Sequence, residues 1–289
     1  TMKHHRSSLH STSVGVALAA ALAVGTIGAA AAKDVKNVGI SLGSMGNPGF
    51  VSIAKTAEQQ LKKANPDVEL KVAFVDEEAY KIQLPNWLSS QAPDIVTWHN
   101  GERMAYYASR GLFEDLSGDW AKNNWNETYA SSKEASSYKG KQYAMPTVYY
   151  SWGMFYRKDL FQKAGIAGEP KTWAEFMEAN KKLKAAGISP IAVGGRDAWT
   201  LAGWFDYLDL RINGYAFHQQ LMNGEVAYTD PRVKKVYTTW KTLLDNKYFI
   251  DNPLSYDLDA AQPFVFQGKA AMMLMGTFIA KGFPPKQAA

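Results

Sequence analysis

Residues 65–98 read NPDVELKVAFVDEEAYKIQLPNWLSSQAPDIVTW, and the fold class is decided by the order of elements in this stretch. Asn65, Pro66 and Asp67 make a turn. Val68 to Val75 follows as a strand. Tyr80, Leu84, Trp87 and Leu88 then share one helical face, on a helix expected to be interrupted near Pro85. Pro93 and Asp94 open a third, mostly apolar strand from Ile95 to Trp98. Upstream, Val38, Ile40 and Leu42 alternate as a short strand. The loop from Gly43 leads to Asn47, a helix cap, and Pro48, a first helical residue, and Phe50, Ile53, Ala54, Ala57 and Leu61 fall on one face after it. Strand, helix, strand, helix, strand in that order builds a largely parallel sheet covered by helices. Ligands in such sheets sit beyond the carboxyl ends of the strands, which places His99, Asn100, Gly101, Glu102 and Arg103 at a binding position.

Downstream the same style recurs with longer helices. Met145 to Tyr156 is extended and rich in aromatic residues, and reads as a crossover strand. Thr172 and Glu175 form a capping box for a helix that runs to Gly187. Ile188 to Val193 is a strand closed by Gly194 and Gly195. Trp199, Trp204, Phe205 and Tyr207 lie on the next helix, and Tyr237, Trp240, Leu243 and Leu244 on a later one. Ala270 to Met275 is a strongly apolar strand that ends at Gly276. Trp152, Trp173 and Trp240 are expected in the core.

The beginning of the chain has the order of a secretory leader: Lys3, His4, His5 and Arg6, then an apolar run from Val14 to Ala32 that ends in small residues. Cleavage after Ala32 is expected, so that residues 1–32 are a signal peptide; an uncleaved anchor is the alternative. The chain contains no cysteine, which excludes disulfides, thiolate zinc sites, cysteine nucleophiles and a lipid-anchored cysteine. The leader holds two cations and no acid, so its removal takes the formal charge from +5 to +3, too weak to point to nucleic acid. Aromatic residues make up 13% of the chain, with nine Trp and fifteen Tyr. A large core would use them, and so would a site lined with rings.

From about Asn65 to Phe283 the chain resembles the extracellular solute-binding proteins that serve ABC sugar importers. Six segments carry the resemblance in the family's order: NPDVELKV, LPNWLSSQAPDIVTW, GLFEDL, KQYAMPTVYYSWGMFYRKDLFQKAGI, PKTWAEF and FQGKAAMMLMGTF. The resemblance implies a two-lobed α/β periplasmic binding protein of type II, each lobe a mostly parallel sheet flanked by helices, with solute taken by hinge closure. Residues 33–146 plus 271–289 would form one lobe and residues 147–270 the other. Met145 to Tyr149 matches the first crossover between lobes, and Ala270 to Gly276 resembles the second. The segment KNVGISLGSMGNPGF is more like the opening of the ribose-binding class. The chain stops at Ala289, where the family would re-enter the first lobe, so the C-terminal part is expected to be missing.

The family's ligand contacts carry over one by one. Trp98 matches an aromatic residue that borders the sugar, and Glu102 with Arg103 stands near polar contacts of the first lobe. Tyr150 falls opposite a polar contact after the first crossover. Phe278 replaces a stacking tryptophan, and Trp199 and Trp204 lie on the second-lobe segment that faces the cleft. The chemistry agrees: a pyranose presents an apolar C–H face to a ring and a rim of hydroxyls to polar groups, which Trp98 and Asn100, Glu102 and Arg103 supply together. Each of these residues also has a plain structural use, in core packing or as a solvated pair.

The expected function is a periplasmic sugar-binding component of an ABC importer, with an inner-membrane permease as partner, no cofactor, no metal and no nucleic acid, acting as a monomer and not as an enzyme. Two rival readings stand beside it. A secreted glycan-acting hydrolase would need two placed carboxylates, and Asp94, Glu102, Asp206 and Asp209 are available without a spacing that singles out a pair. The other is a non-functional fragment of a binding protein.

Overall fold

The computed structural model describes residues 37–42 and 48–283; the expected leader, its cleavage site and the cap at Asn47 lie outside the described residues. The chain divides into two compact units, the first ending at Tyr149 and the second beginning at Tyr150.

In the first unit, β1 (Asn37–Leu42), β2 (Glu69–Phe74) and β3 (Ile95–Val96) form a parallel sheet in the order β2-β1-β3. Helix α1 (Pro48–Ala64) buries the face the periodicity marks. Ile53 and Ala54 pack with Ile40 and Leu42, while Ala57 and Leu61 pack with Val38 and Val68. Each fully buried Leu or Ile of this kind contributes about 2 kcal/mol. Helix α2 (Glu77–Ser89) covers the other side. Adjacent residues of β3 point to opposite faces, so Ile95 joins the α1 clusters and Val96 joins Tyr80 and Leu84 of α2. Asp76 caps α2 by accepting from the amides of Glu78 and Ala79 at 3.0 and 3.4 Å. The helix runs through Pro85 without the expected interruption. Its buried anchors, Tyr80 and Leu84, hold the turn before the proline, and tertiary packing outweighs the loss of one helical hydrogen bond.

The short strand β3 is pinned beyond its ladder at both ends. The amide of Gly39 donates to Asp94 Oδ2 at 2.7 Å, and the amide of Thr97 donates to Ser41 O at 3.1 Å. The hydroxyl of buried Tyr80 donates to Ser41 O at 3.2 Å and accepts from the amide of Thr97 at 3.1 Å. One side chain therefore joins α2 to the carboxyl ends of two strands. Beyond β3 come α3 (Glu102–Ala108), α4 (Ser117–Lys122), α5 (Trp125–Thr128) and an antiparallel pair, β4 (Ser137–Tyr138) and β5 (Lys141–Gln142). Trp120 and Trp125 are buried edge to face, and the Trp120 indole donates to Ala144 O at 3.1 Å. Met145 to Tyr149, read as part of a strand, has no strand partner.

The second unit is built on β6 (Trp152–Tyr156), β7 (Ser189–Ile191) and β8 (Ala270–Gly276), in the order β6-β8-β7, with β6 antiparallel and β7 parallel to β8. All seven residues of β8 are buried. Met272 and Leu274 pack into one cluster, and Met273 and Met275 into another. A strand apolar on both faces belongs in the middle of a covered sheet. That corrects the assignment of residues 271–289 to the first lobe: the strand and the turn after it up to Phe283 belong to the second unit. The helices are α6 (Lys158–Lys163), α7 (Trp173–Ala185), α8 (Trp199–Asn213), α9 (Tyr215–Met222), α10 (Pro231–Asp245) and α11 (Leu258–Phe266).

Helix α7 starts on half of the expected box: Thr172 accepts from the Glu175 amide at 3.2 Å, while the Glu175 carboxylate reaches past the cap residue and accepts from the amide of Lys171 at 2.7 Å. Trp173, expected in the core, is 39% exposed, because it is the first residue of the helix and the buried positions begin further along, at Ala179, Asn180 and Leu183. Between α8 and α9, the fully buried Asp209 meets His218 Nδ1 at 2.9 Å and accepts from Asn213 at 2.7 Å. Among the described residues no helix is long and apolar enough to cross a membrane.

The Tyr80 staple is testable. Tyr80→Phe keeps the ring but removes the donor to Ser41 O and the acceptor for the Thr97 amide, so urea unfolding should show the first unit destabilised by about 1–3 kcal/mol. An unchanged midpoint would show that the hydroxyl is dispensable.

Candidate ligand-binding site

The expected site residues fall into two groups, one in each unit. In the first unit, Trp98, Glu102 and Arg103 line one shallow hollow together with Lys81, Tyr106 and Tyr107. Trp98 follows β3 and stands at the carboxyl end of the sheet. Its ring is half-buried and fixed by neighbours: stacked on Tyr80 with centroids 6.3 Å apart, and edge to face with Tyr107 at 5.8 Å and His99 at 5.3 Å. The indole N–H donates to Arg103 O at 3.2 Å. Its polar handle is thus already used, and what it offers a ligand is its apolar face.

Gly101 makes the turn into α3 with φ of 75°, in the left-handed region that favours glycine. The turn is held by Asn100, whose amide donates to the hydroxyl of buried Ser136 at 2.9 Å, and by the Gly101 amide, which donates to Ala135 O at 2.7 Å. Asn100 anchors the loop in this way. Glu102 and Arg103 are both exposed on the first turn of α3 and form no ion pair with each other. Tyr106, one helical turn further, is 53% exposed, with the Arg110 guanidinium 3.5 Å from its ring centre. The i to i+4 spacing from Glu102 to Tyr106 was readable in the sequence; the presence of Lys81, from α2, was not.

Beside the hollow, Glu77 at the start of α2 receives His99 Nε2 at 3.2 Å, and Lys81 reaches Glu78 at 2.6 Å. The His99 contact, helped by Lys81, holds the Glu77 carboxyl below its ordinary range.

In the second unit, Tyr150, Trp199 and Phe278 gather around Trp152, which packs against both core clusters of this unit, as expected. Trp152 meets Trp199 edge to face at 6.3 Å and Phe278 at 6.3 Å, and Tyr150 meets Phe278 at 5.0 Å. Trp152 pairs with Gly276 across β6 and β8 and lies against Gly203 of α8, where an added Cβ would come within 2.6 Å of its ring. Trp204 does not join this group. It is 1% exposed and packs against Phe249 in the core, so it has no face left for a ligand. On α8 it lies on the sheet-facing side, while Trp199 stands at the helix start, just after Ala198, whose φ of 61° and ψ of −26° cost on the order of 1 kcal/mol for a residue with a Cβ.

Of the carboxylates weighed for hydrolysis, Asp94 is bound to the Gly39 amide and Asp209 is enclosed with His218 and Asn213. Desolvation pushes the half-buried Asp206 up. Among the described residues no cluster of three His, Asp or Glu side chains is placed to hold a metal.

Because the folded-state value of Glu77 is depressed, its contribution to stability is present above the ordinary glutamate range and is lost as pH falls through the folded value. The melting-temperature difference between wild type and Glu77→Gln should therefore be largest above the ordinary glutamate range and shrink as pH falls below that range. A difference that stays constant as pH falls would remove the pair from the account.

The comparisons with known proteins agree with this architecture. A probable sugar-binding periplasmic protein of Mesorhizobium japonicum is 31% identical over 181 residues, covering 61% of this chain and 42% of that protein. An ABC transporter extracellular-binding protein of Pyrococcus horikoshii is 27% identical over 205 residues, covering 68% and 46%. The chain spans about half the length of the curated relatives it matches. Among solved structures, a chitin oligosaccharide binding protein superposes with a TM-score of 0.80 at 23% identity, covering 88% of this chain and 64% of the other. A bacterial solute receptor described as preferring β-D-galactopyranose gives a TM-score of 0.66 at 27% identity, covering 87% and 64%. The fold is thus the α/β type II periplasmic-binding-protein fold expected from the sequence. With residues 44–288 matching its family description, the chain belongs to the bacterial extracellular solute-binding protein family.

Proposed function

We propose that this protein is the solute-capturing component of an ABC importer, that its solute is a sugar or oligosaccharide, and that it delivers this solute to an inner-membrane permease. One observation carries the reading: in each unit, partly exposed aromatic rings are locked in place by other rings, Trp98 by Tyr80 and Tyr107, and Trp199 and Phe278 by Trp152. Rigid, partly exposed rings suit the C–H face of a pyranose at low entropic cost. Glu102, Arg103 and Lys81 beside Trp98 supply charged partners for hydroxyls.

Hinge closure on the ligand, export to the periplasm through the N-terminal leader, and action as a monomer belong to the same reading. It is supported by the family match and by the names of the relatives, which are sugar-binding and ABC transporter binding proteins. The absence of a catalytic role is also part of it. Two of the four carboxylates weighed for hydrolysis, Asp94 and Asp209, are engaged in structural hydrogen bonds.

A thermal-shift screen of mono- and oligosaccharides tests the proposal. At least one sugar should raise the melting temperature in a concentration-dependent way without being consumed. Trp98→Ala should weaken that sugar by about tenfold or more, equivalent to about 1.4 kcal/mol. Unchanged binding by Trp98→Ala would overturn the first-unit site, and turnover of a glycoside panel would replace the binding protein with a hydrolase.

A further inference from the structure

The loop Gly194 to Trp199, buried at Gly194 and Gly195 and at least partly exposed from Arg196 on, is tied down at several points. Its backbone is bonded to the segment before α11: the Gly195 amide donates to Pro253 O and the Arg196 amide to Tyr256 O, both at 2.9 Å. Gly194 lies so close to that segment that an added Cβ would come within 2.1 Å of the Asp257 carbonyl oxygen, and the Thr200 hydroxyl donates back to Gly194 O. Within the loop, the Trp199 amide donates to Asp197 O at 2.7 Å, and Ala198 is held in the left-handed region.

One side chain ties the loop to α11. The Arg196 guanidinium bonds to Asp257 Oδ2 at 2.5 Å and reaches Asp197 at 3.4 Å. Asp257 does not need this partner to cap α11, because its other oxygen accepts from the Ala260 amide at 2.7 Å. The Arg196 side chain is 55% exposed, so no core packing depends on it. The loop it helps to tie down ends on Trp199, whose ring stands edge-on to Trp152.

We propose that Arg196 is a positioning residue for Trp199: by clamping the loop to Asp257 it keeps Ala198 in its strained conformation and so sets the angle at which the Trp199 ring meets ligand. The inference rests on the reading of Trp199 as part of the sugar site. Strain held at a site by its surroundings is a means of pre-organisation. Removing the clamp lets Ala198 relax and the ring sample other orientations, while the cap of α11 and the core stay as they are.

The test uses the full chain labelled with 5-fluorotryptophan, with the Trp199 resonance assigned from Trp199→Phe. Arg196→Gln should broaden or split that resonance without ligand, with Arg196→Lys in between, and leave the melting temperature within a few degrees of wild type. With the sugar found in the thermal-shift screen, Arg196→Gln should lower affinity by about 3–10-fold. An unchanged Trp199 resonance in Arg196→Gln overturns the proposal. So does a moved resonance with unchanged affinity, which would make Arg196 an organiser of the loop alone, and so does a collapse in melting temperature, which would make it a stability residue. Trp199→Ala separates the two levels: if it binds sugar as wild type does, the reading of Trp199 as a ligand residue fails, whatever Arg196 does.

Discussion

Burial of β8 on both faces is the constraint on which the second unit depends. Ala270 to Gly276 exposes no residue, and its side chains feed two clusters, alternating from Met272 to Met275. Such a strand needs a hydrogen-bonding neighbour along each edge and a cover on each face, because an unpaired amide or carbonyl in that setting would cost about 1–3 kcal/mol. β6 and β7 supply the edges. The register follows, with Trp152 opposite Gly276 and Tyr156 opposite Met272. The aromatic group is a consequence of that register. Trp152 is carried to the end of the sheet, the missing Cβ of Gly276 leaves room for Phe278, and Gly203 lets α8 approach closely enough for Trp199 to meet the same indole.

The first unit reaches a comparable result with a polar device. Its third strand is two residues long, too short to be held by its ladder alone. The Tyr80 hydroxyl, the Asp94 carboxylate and the Thr97 amide complete the joint. Burial pushes the Tyr80 hydroxyl up, so it stays neutral and keeps its proton to donate. The same tyrosine then serves as the floor under Trp98. In both units the ring proposed to meet ligand rests on another ring that belongs to the packing, so stability and recognition share residues.

Much of the local structure was legible. The apolar face of α1, the Thr172 cap that begins α7 and the continuous apolar run of β8 all follow from spacing and side-chain type, and each is found in place. Pro85 misled, because its local cost was smaller than the burial of Tyr80 and Leu84 around it. The tryptophans were harder still. Trp152, Trp173 and Trp204 are equally apolar in the sequence, yet one supports the aromatic group, one is exposed and one is sealed in the core. Asn100 was read as a ligand group from its neighbours, while its amide is engaged by Ser136, thirty-six residues away.

By itself the sequence determined the α/β class, the family and most elements, because helical and strand periodicity record burial one residue at a time, and caps and turns are settled within a few bonds. The tertiary structure alone decided which unit owns β8, which rings stay partly exposed and which polar groups are already taken. Those outcomes depend on partners far along the chain. Lys81 enters the hollow of Trp98 from another helix, Arg196 finds Asp257 sixty-one residues on, and the face of an indole is covered or left bare by whatever the fold brings against it.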